Sequence, residues 1–284
     1  MIKIIECPRD AMQGLKEFIP TQTKIDYLNK LLKVGFDTLD FGSFVSPKAI
    51  PQLRDTAEVL ANLELENTKT KLLAIIANVR GAEDAVQHEQ IKYLGFPLSV
   101  SEEFQKRNTN KTIDEALEQV AQIQELCVKH GKEQVTYISM GFGNPYGEAW
   151  NTEVVGEFVQ KLAKLQVPII SLSDTIGVSN PENINYLFSN LIPAFPDIEF
   201  GAHLHTNPRT WEEKIDAAYK AGCRRFDGAL RGYGGCPMAK DELVGNMATE
   251  NLVYYFDKIN VPLELNKSAF EDAMAASTAV FEAH

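Results

Sequence analysis

The alternation of short apolar runs with longer amphipathic segments predicts an α/β protein. We expect a (β/α)₈ TIM barrel that spans residues 1–284 as one domain, with an extra helix at its C-terminus. Three observations support this fold class: eight strand-like runs each precede a helix-like segment, the connections are short, and no linker rich in Gly, Ser or Pro interrupts the series. Alternating β and α elements imply a parallel sheet covered by helices. Eight such units in 284 residues favour a closed barrel.

The predicted strands are short runs of β-branched and aliphatic residues bounded by turn residues. The first strand leads into Cys7-Pro8-Arg9-Asp10 and lacks the G-x-G-x-x-G turn with which a Rossmann sheet opens. In chain order the strands are Ile2–Glu6, Phe36–Phe41, Leu72–Asn78, Gln90–Leu94 with Leu98–Val100, Val135–Met140, Val167–Ser173, Ile198–His205 and Cys223–Ala229.

The segments between the strands have the spacing of amphipathic helices. In the first of them Ile25, Leu28 and Leu31 fall on one face, and Gly35 closes the helix. The predicted helices are Thr21–Val34, Pro47–Leu63, Ala82–His88, Thr112–His130, Thr152–Leu165, Pro181–Ile192, Thr210–Ala221, Asp241–Phe256 and the additional C-terminal Ser268–Glu282.

Composition and charge narrow the class of function. The formal net charge of −11 repels a phosphate backbone and argues against nucleic acid as a partner. The N-terminus lacks the layout of a signal peptide, and no apolar run reaches the ~18 residues of a membrane span. Four cysteines at positions 7, 127, 223 and 236 are scattered without C-x-x-C spacing, which favours a reducing compartment. We therefore expect a cytoplasmic protein with no membrane partner.

The chemistry of a barrel enzyme lies at the carboxyl ends of its strands. His203 and His205 end the predicted seventh strand, and side chains two residues apart on a strand face the same side. Two imidazoles at one height can bind a cation together. The alternative is a chance pair that hydrogen-bonds to polar groups of the barrel.

Three carboxylates and one arginine lie at the ends of other predicted strands. Arg9 and Asp10 end the first strand, where Asp10 offers an oxygen ligand and Arg9 a set of donors for an oxyanion. A structural Arg9–Asp10 ion pair is the alternative. Asp40 ends the second strand and Asp174 the sixth. Each could equally be a carboxylate that caps a loop, an alternative that is stronger for Asp174 because Asp-Thr readily caps local backbone.

A glycine-rich segment, residues 230–239, follows the eighth strand and carries Cys236. Such a loop allows backbone to approach a ligand. Cys236 is either an accessible reactive thiol or an inert surface thiol. Further on, Asn246 offers a carbonyl oxygen to a hard cation or caps a helix that begins there.

Five motifs occur in order along nearly the whole chain. They are Pro8-Arg9-Asp10, Ser43-Phe44-Val45-Ser46-Pro47-Lys48, Asp174-Thr175-Ile176-Gly177, His203-Leu204-His205 and Gly234-Gly235-Cys236-Pro237. Together they resemble the 3-hydroxy-3-methylglutaryl-CoA lyase family, within the DRE-TIM metallolyase superfamily. The S-F-V-S-P-K and G-G-C-P segments are the most specific parts of the resemblance.

The resemblance implies a metal-dependent carbon–carbon lyase that cleaves the acyl-CoA substrate HMG-CoA to acetoacetate and acetyl-CoA. It implies Mg²⁺ or Mn²⁺ as cofactor, bound by four ligands, and roles for further residues in catalysis. Arg9 would stabilise the enolate, Cys236 would transfer a proton, and His203, Asp40 or Asp174 would act as base. The implied metal ligands are Asp10, His203, His205 and Asn246. A homodimer is compatible with the sequence, which leaves the oligomeric state open.

The chain departs from the family pattern beside this site. Cys7 stands where the family usually has glycine, Asp40 where it has glutamate, and Thr206 where it has aspartate. These departures motivate an alternative, a related metal aldolase or acyl-CoA condensing enzyme that acts on another hydroxy or keto acid. A third reading is a non-catalytic barrel that binds CoA esters.

Overall fold

The structure is a computed structural model that describes residues 1–235 and 244–281. Eight parallel strands form a closed barrel in chain order, and the last barrel strand, Arg225–Gly228, pairs with the first, Lys3–Glu6, to complete the ring. The predicted fold class is confirmed. The ten described strands are β1 Lys3–Glu6, β2 Thr38–Ser43, β3 Lys71–Ile75, β4 Ile91–Ser99, β5 Glu133–Ser139, β6 Ile169–Ser173, β7 Glu199–His203, β8 His205–Thr206, β9 Arg225–Gly228 and β10 Gly245–Asn246.

Helices cover the outside of the barrel, and within the described ranges none is long and apolar enough to cross a bilayer. Their bounds are α1 Pro8–Gln13, α2 Thr21–Leu32, α3 Thr56–Ala61, α4 Val79–Ala85, α5 Glu102–Thr109, α6 Ile113–Lys129, α7 Thr152–Lys164, α8 Pro181–Ala194, α9 Trp211–Lys220, α10 Thr249–Lys258 and α11 Lys267–Phe281. The predicted C-terminal extra helix corresponds to α11, which packs against α2.

Strand alternation separates two apolar regions. The main core lies between the strands and the helices, where Ile170 and Leu172 of β6 pack. Ile169 on the same strand points the other way, into a smaller cluster with Leu73, Tyr93 and Val135 that fills the inside of the barrel. Side chains two residues apart on a strand share a face. Every second residue from an interior position therefore faces the inside of the barrel, up to the carboxyl end of the strand.

Several predicted element boundaries were wrong. The predicted helix at 47–63 is a short 3₁₀ turn, Pro51–Leu53, followed by α3. The two runs of the fourth strand are one continuous strand, since Pro97 continues the parallel pairing with Tyr137. In the part of the predicted helix 241–256 that the structure describes, the helix begins only at Thr249.

Two helices were missed. One is α1, which follows β1 directly. The other is α5, whose polar sequence gives no apolar stripe but whose N-cap Ser101 accepts a hydrogen bond from the backbone N–H of Phe104. Such a cap satisfies one of the free N–H groups of a helix start.

Candidate active site

The carboxyl end of the barrel gathers Asp10, His203 and His205. One ligand atom from each of these side chains lies within 4.8 Å of the others. Asp10 follows β1, and the two histidines come from the other side of the seam, so the closure of the ring brings them together. These are three of the four residues that the resemblance implies as metal ligands.

Asp10 is placed by a helix, which corrects the expectation that Arg9 and Asp10 end the first strand. The strand ends at Glu6, and α1 begins at Pro8. Proline favours the first position of a helix because its ring presets φ and its missing N–H would have no partner there. Both residues therefore lie in the first turn of α1, with Arg9 buried.

The seventh barrel strand ends at His203, earlier than predicted. After Leu204, residues His205 and Thr206 form β8, which pairs antiparallel with β10. The two imidazole centroids are 5.4 Å apart, and Leu204 is buried in the main core on the opposite side. The predicted common orientation of the two rings is therefore observed, although two strands carry them.

Asn246 reaches the cluster from β10, where it pairs with His205. It does not cap a helix, because α10 begins three residues later. Its Nδ2 donates to Asp10 Oδ2 at 2.7 Å and to the backbone oxygen of Tyr233 at 2.9 Å. Those two bonds orient the side chain, and its Oδ1 is the atom with which it would bind a hard cation.

Arg9 links two carboxylates in a buried network. Its Nε and Nη2 donate to Asp40, the shortest distance being 2.6 Å, and its Nη1 donates to Asp10 and Gln13 at 3.0 and 2.9 Å. Burial lowers the pKa of Arg9, but Asp40 and Asp10 raise it by more. Burial raises the pKa of Asp40 to about 6 against the opposing effect of Arg9. The guanidinium is therefore charged, and Asp40 is ionised at neutral pH.

Gln13 completes this network one helical turn after Arg9 and Asp10. Its Nε2 donates to Asp10 Oδ1 at 2.8 Å while its Oε1 accepts from Arg9. Residues three and four apart on a helix lie side by side, so the spacing in the sequence could have indicated this contact.

Asp227 is the principal site residue that sequence reasoning missed. It lies on β9, and its Oδ2 is 3.1 Å from His203 Nδ1. Burial lowers the pKa of His203, but the hydrogen bond and the charge of Asp227 raise it by more. A carboxylate on Nδ1 fixes the ring and leaves the lone pair on Nε2 for a metal. Asp227 lies two residues after the interior Arg225, so the alternation that identified the histidine pair was also the available signal here.

The side chains present fit a divalent cation. Burial, and then His203, lowers the pKa of His205 to about 4, so the ring is neutral and has a lone pair to share. Its buried Nδ1 has no hydrogen-bond partner among the described residues. Burial raises the pKa of Asp10, but Arg9 and His203 lower it by more, which keeps an anionic oxygen available. One imidazole nitrogen from each histidine, a carboxylate and an amide oxygen are a mixed set suited to such an ion.

Asp174 lies apart from this cluster in a buried ion pair. Its Oδ1 accepts from the backbone N–H of Ser179 at 3.1 Å, and its Oδ2 accepts from Ser179 Oγ and from Lys214 Nζ at 2.9 Å. Lys214 also donates to the backbone oxygens of His205 at 2.9 Å and Gly177 at 3.3 Å. This geometry matches the loop-capping alternative, and it makes Lys214 a support for the chain at His205.

Cys236 lies outside the described residues, and the loop is described up to Gly235. Two contacts place the start of this segment. Glu6 Oε1 accepts from the backbone N–H of Leu230 at 2.9 Å, and Glu6 Oε2 accepts from Thr249 Oγ1 at 2.5 Å. At Gly234, which has a φ of +85°, a Cβ would lie 2.8 Å from Asn246 Nδ2. Only glycine allows this approach to the candidate metal ligand.

The chain is similar to known proteins over nearly its whole length. The HMGL-like family profile matches residues 2–276. Hydroxymethylglutaryl-CoA lyase YngG of Bacillus subtilis is 34% identical over 266 residues, which cover 92% of this chain and 88% of that protein. The (R)-citramalyl-CoA lyase of Chloroflexus aurantiacus is 28% identical over 271 residues, 92% of this chain and 85% of that protein.

A solved structure extends the similarity to three dimensions. The HMG-CoA lyase of Acinetobacter baumannii, in complex with coenzyme A and 3-methylmalate, superposes with a TM-score of 0.91 at 30% identity. The superposition covers 99% of this chain and 92% of that chain.

Proposed function

The chain belongs to the HMGL-like family of carbon–carbon lyases, and from this membership we propose that it cleaves HMG-CoA to acetoacetate and acetyl-CoA. A divalent cation, Mg²⁺ or Mn²⁺, is bound by Asp10, His203, His205 and Asn246. The observation that carries the proposal is the cluster of ligand atoms from Asp10, His203 and His205 within 4.8 Å, joined to Asn246 by a 2.7 Å hydrogen bond.

When bound, the cation acts as a Lewis acid that polarises the hydroxyl and carbonyl oxygens of the substrate. Neighbouring residues orient these four ligands through hydrogen bonds and ion pairs. Asp227 fixes the tautomer of His203, Gln13 and Arg9 hold Asp10, and Lys214 holds the backbone of His205. Preorganised donors of this kind need no rearrangement during the reaction.

We assign removal of the substrate hydroxyl proton to Asp40. Asp174 suits this step poorly because Ser179 and Lys214 hold it in an ion pair apart from the ligand cluster. Asp40 instead faces Arg9, next to Asp10. Protonation of Asp40 cancels the charge that holds Arg9, so the guanidinium becomes available to the thioester enolate that forms as the carbon–carbon bond breaks.

Cys236 donates the proton that converts the enolate into acetyl-CoA, a role that rests on the family resemblance. Tyr233 and Gly234 lie beside Asn246, so the described start of the loop is adjacent to the ligand cluster. One proton passes from the hydroxyl to Asp40 and one passes from the thiol to carbon. Return of the Asp40 proton to the thiolate through solvent then restores the enzyme and closes the proton balance.

The test is a product assay on purified protein. Metal-free protein is incubated with HMG-CoA, with and without Mg²⁺ or Mn²⁺, and acetoacetate and acetyl-CoA are measured. We expect both products only with metal, their loss in Asp10→Asn, and unchanged rates in Asp84→Asn on the exposed face of α4. Metal-replete protein that forms no acetoacetate would contradict the proposal.

A second candidate is a different 3-hydroxy-acyl-CoA. Thr206, buried beside the metal-ligating His205, puts a neutral hydroxyl where the family has a carboxylate. One relative is named for citramalyl-CoA. A higher kcat/KM for citramalyl-CoA than for HMG-CoA would favour this candidate. A non-catalytic role is disfavoured by family membership and by the retained ligand set.

The remaining expectations concern setting and assembly. Cys7, Cys127 and Cys223 are free thiols, which supports a reducing compartment. Location in the cytoplasm and assembly as a homodimer stay predictions.

A further inference from the structure

Cys7 brings a thiol to the candidate active site at a position where the family usually has glycine. It lies between β1 and α1 and is 1% exposed. Among the described residues its Sγ has only a weak contact, 3.7 Å from the backbone oxygen of Ile5. None of the steps proposed above uses this thiol.

We propose that Cys7, His203 and Asp227 form a second metal site, selective for Zn²⁺, that shares His203 with the first. One ligand atom from each of these three side chains lies within 4.8 Å of the others. A tetrahedral zinc ion with bonds of about 2.0–2.3 Å holds its ligand atoms about 3.5 Å apart. The three side chains therefore need to move by roughly 1 Å at most to close on the ion.

Asp227 supplies the independent evidence for a missing ligand. Its Oδ2 bonds to His203, but its Oδ1 is buried with no partner among the described residues. Leaving a buried carboxylate oxygen unpaired is costly, and a cation would satisfy it. Cysteine, histidine and carboxylate together are typical zinc ligands, whereas a soft thiolate is a poor ligand for Mg²⁺.

Charge at the site also favours a cation. Asp227 places a carboxylate oxygen within 4.8 Å of the Cys7 sulfur, and an anionic oxygen attracts a divalent ion. A Zn²⁺ ion bound to the Cys7 thiolate and to Asp227 forms an electrically neutral group with them, so burial costs less than for either anion alone.

The two sites cannot be occupied at the same time, because a neutral His203 ring offers one nitrogen to a metal ion and carries its proton on the other. Zinc at Nδ1 takes the lone pair of that nitrogen, so the Nδ1 proton moves to Nε2 and the thiol proton of Cys7 passes to solvent. A protonated Nε2 cannot bind the ion of the first site. Zinc therefore inhibits the enzyme by removing His203 from the catalytic set.

The direct test uses Co²⁺ as a spectroscopic substitute for zinc on metal-free protein, with no substrate present. A thiolate ligand gives a charge-transfer band in the near ultraviolet. We expect this band in the unmodified protein, in Cys236→Ser and in Cys223→Ser, and its loss in Cys7→Ser. A band that persists in Cys7→Ser, or no band in the unmodified protein, overturns the proposal. Because this readout needs no turnover, it is independent of the proposed lyase activity.

Inhibition provides the second measurement. With saturating Mg²⁺, we expect the Zn²⁺ concentration that inhibits the unmodified protein to be about tenfold lower than the concentration that inhibits Cys7→Ser. The reason is that removing one ligand weakens a metal site by at least this order. Cys7→Ala serves as a second variant, and the unfolding transition and Mg²⁺ affinity of both variants establish that they fold. Equal sensitivity to Zn²⁺ in all three proteins contradicts the shared site.

Discussion

The two ends of the barrel carry similar charged pairs in different surroundings. At the amino end, where the strands begin, Lys92 pairs with Glu133 at 2.6 Å and Lys71 with Asp37 at 3.0 Å, and the lysine side chains are about two-fifths exposed. At the carboxyl end Arg9 pairs with Asp40 at 2.6 Å, and the two side chains are 9% and 1% exposed. Water screens the first group and not the second. The same ion-pair chemistry therefore joins strands at one end and holds charges ready for chemistry at the other.

The largest expected effect is on turnover, through the thiol to which we assign the proton transfer to carbon. We expect Cys236→Ser to lower kcat by about 10²–10⁴-fold, the usual contribution of a positioned acid, with Mg²⁺ affinity unchanged. Steady-state kinetics and a metal titration measure the two quantities. Unchanged turnover would remove Cys236 from the mechanism.

The next effect compares an ion pair from each end. Arg9→Met leaves Asp40 as an uncompensated buried charge, and we expect a loss of about 3–5 kcal/mol in the free energy of unfolding. Lys92→Met breaks an exposed pair, and its loss should stay below about 1 kcal/mol. Urea unfolding measures both. Similar losses in the free energy of unfolding for the two variants would contradict the expected effect of burial on these ion pairs.

A smaller effect, on metal affinity, is expected for Asp227, whose carboxylate contacts the proposed metal ligand His203. In Asp227→Asn the amide can donate to His203 Nδ1 and so moves the ring proton to Nε2. We expect Mg²⁺ affinity to fall about 10–100-fold, as measured by calorimetry. Asp37→Asn at the amino end is the matched control. Wild-type metal affinity in Asp227→Asn would show that the 3.1 Å contact does not set the tautomer.

The smallest expected effect is a pH-dependent change in the free energy of unfolding caused by Glu6, the fully buried last residue of β1. Burial raises its pKa from the ordinary value of 4.5 to about 8. Since the folded state then binds the extra proton, this group's contribution to stability is complete below pH 4.5 and is lost as the pH rises to about 8.

Glu6→Gln mimics the protonated acid, so its stability should match the unmodified protein near pH 5 and exceed it near pH 8. Glu133→Gln, at the exposed amino end, should show no such divergence. Unfolding curves at several pH values measure the difference. Parallel stability profiles for Glu6→Gln and the unmodified protein would mean that Glu6 is ionised in the folded state.

The sequence predicted the barrel because periodicity and strand count are local signals that survive in the fold. It also predicted the shared orientation of His203 and His205, which depends only on alternation. It did not predict α1 or β8, because each is too short to show a period. Asp227 and Lys214 were missed for a different reason. Their importance depends on partners 24 and 40 residues away, which only the closed barrel brings into contact.

The seam between β1 and β9 has a consequence for the newly made chain. Asp10 leaves the ribosome well before its hydrogen-bond partner Asn246, which follows 236 residues later. Chains are made from the N-terminus, so no partial product that ends before β10 can assemble the four proposed ligands. Capture of the cation would then mark a chain whose synthesis has passed β10, and chains truncated before it would be left without this source of added stability.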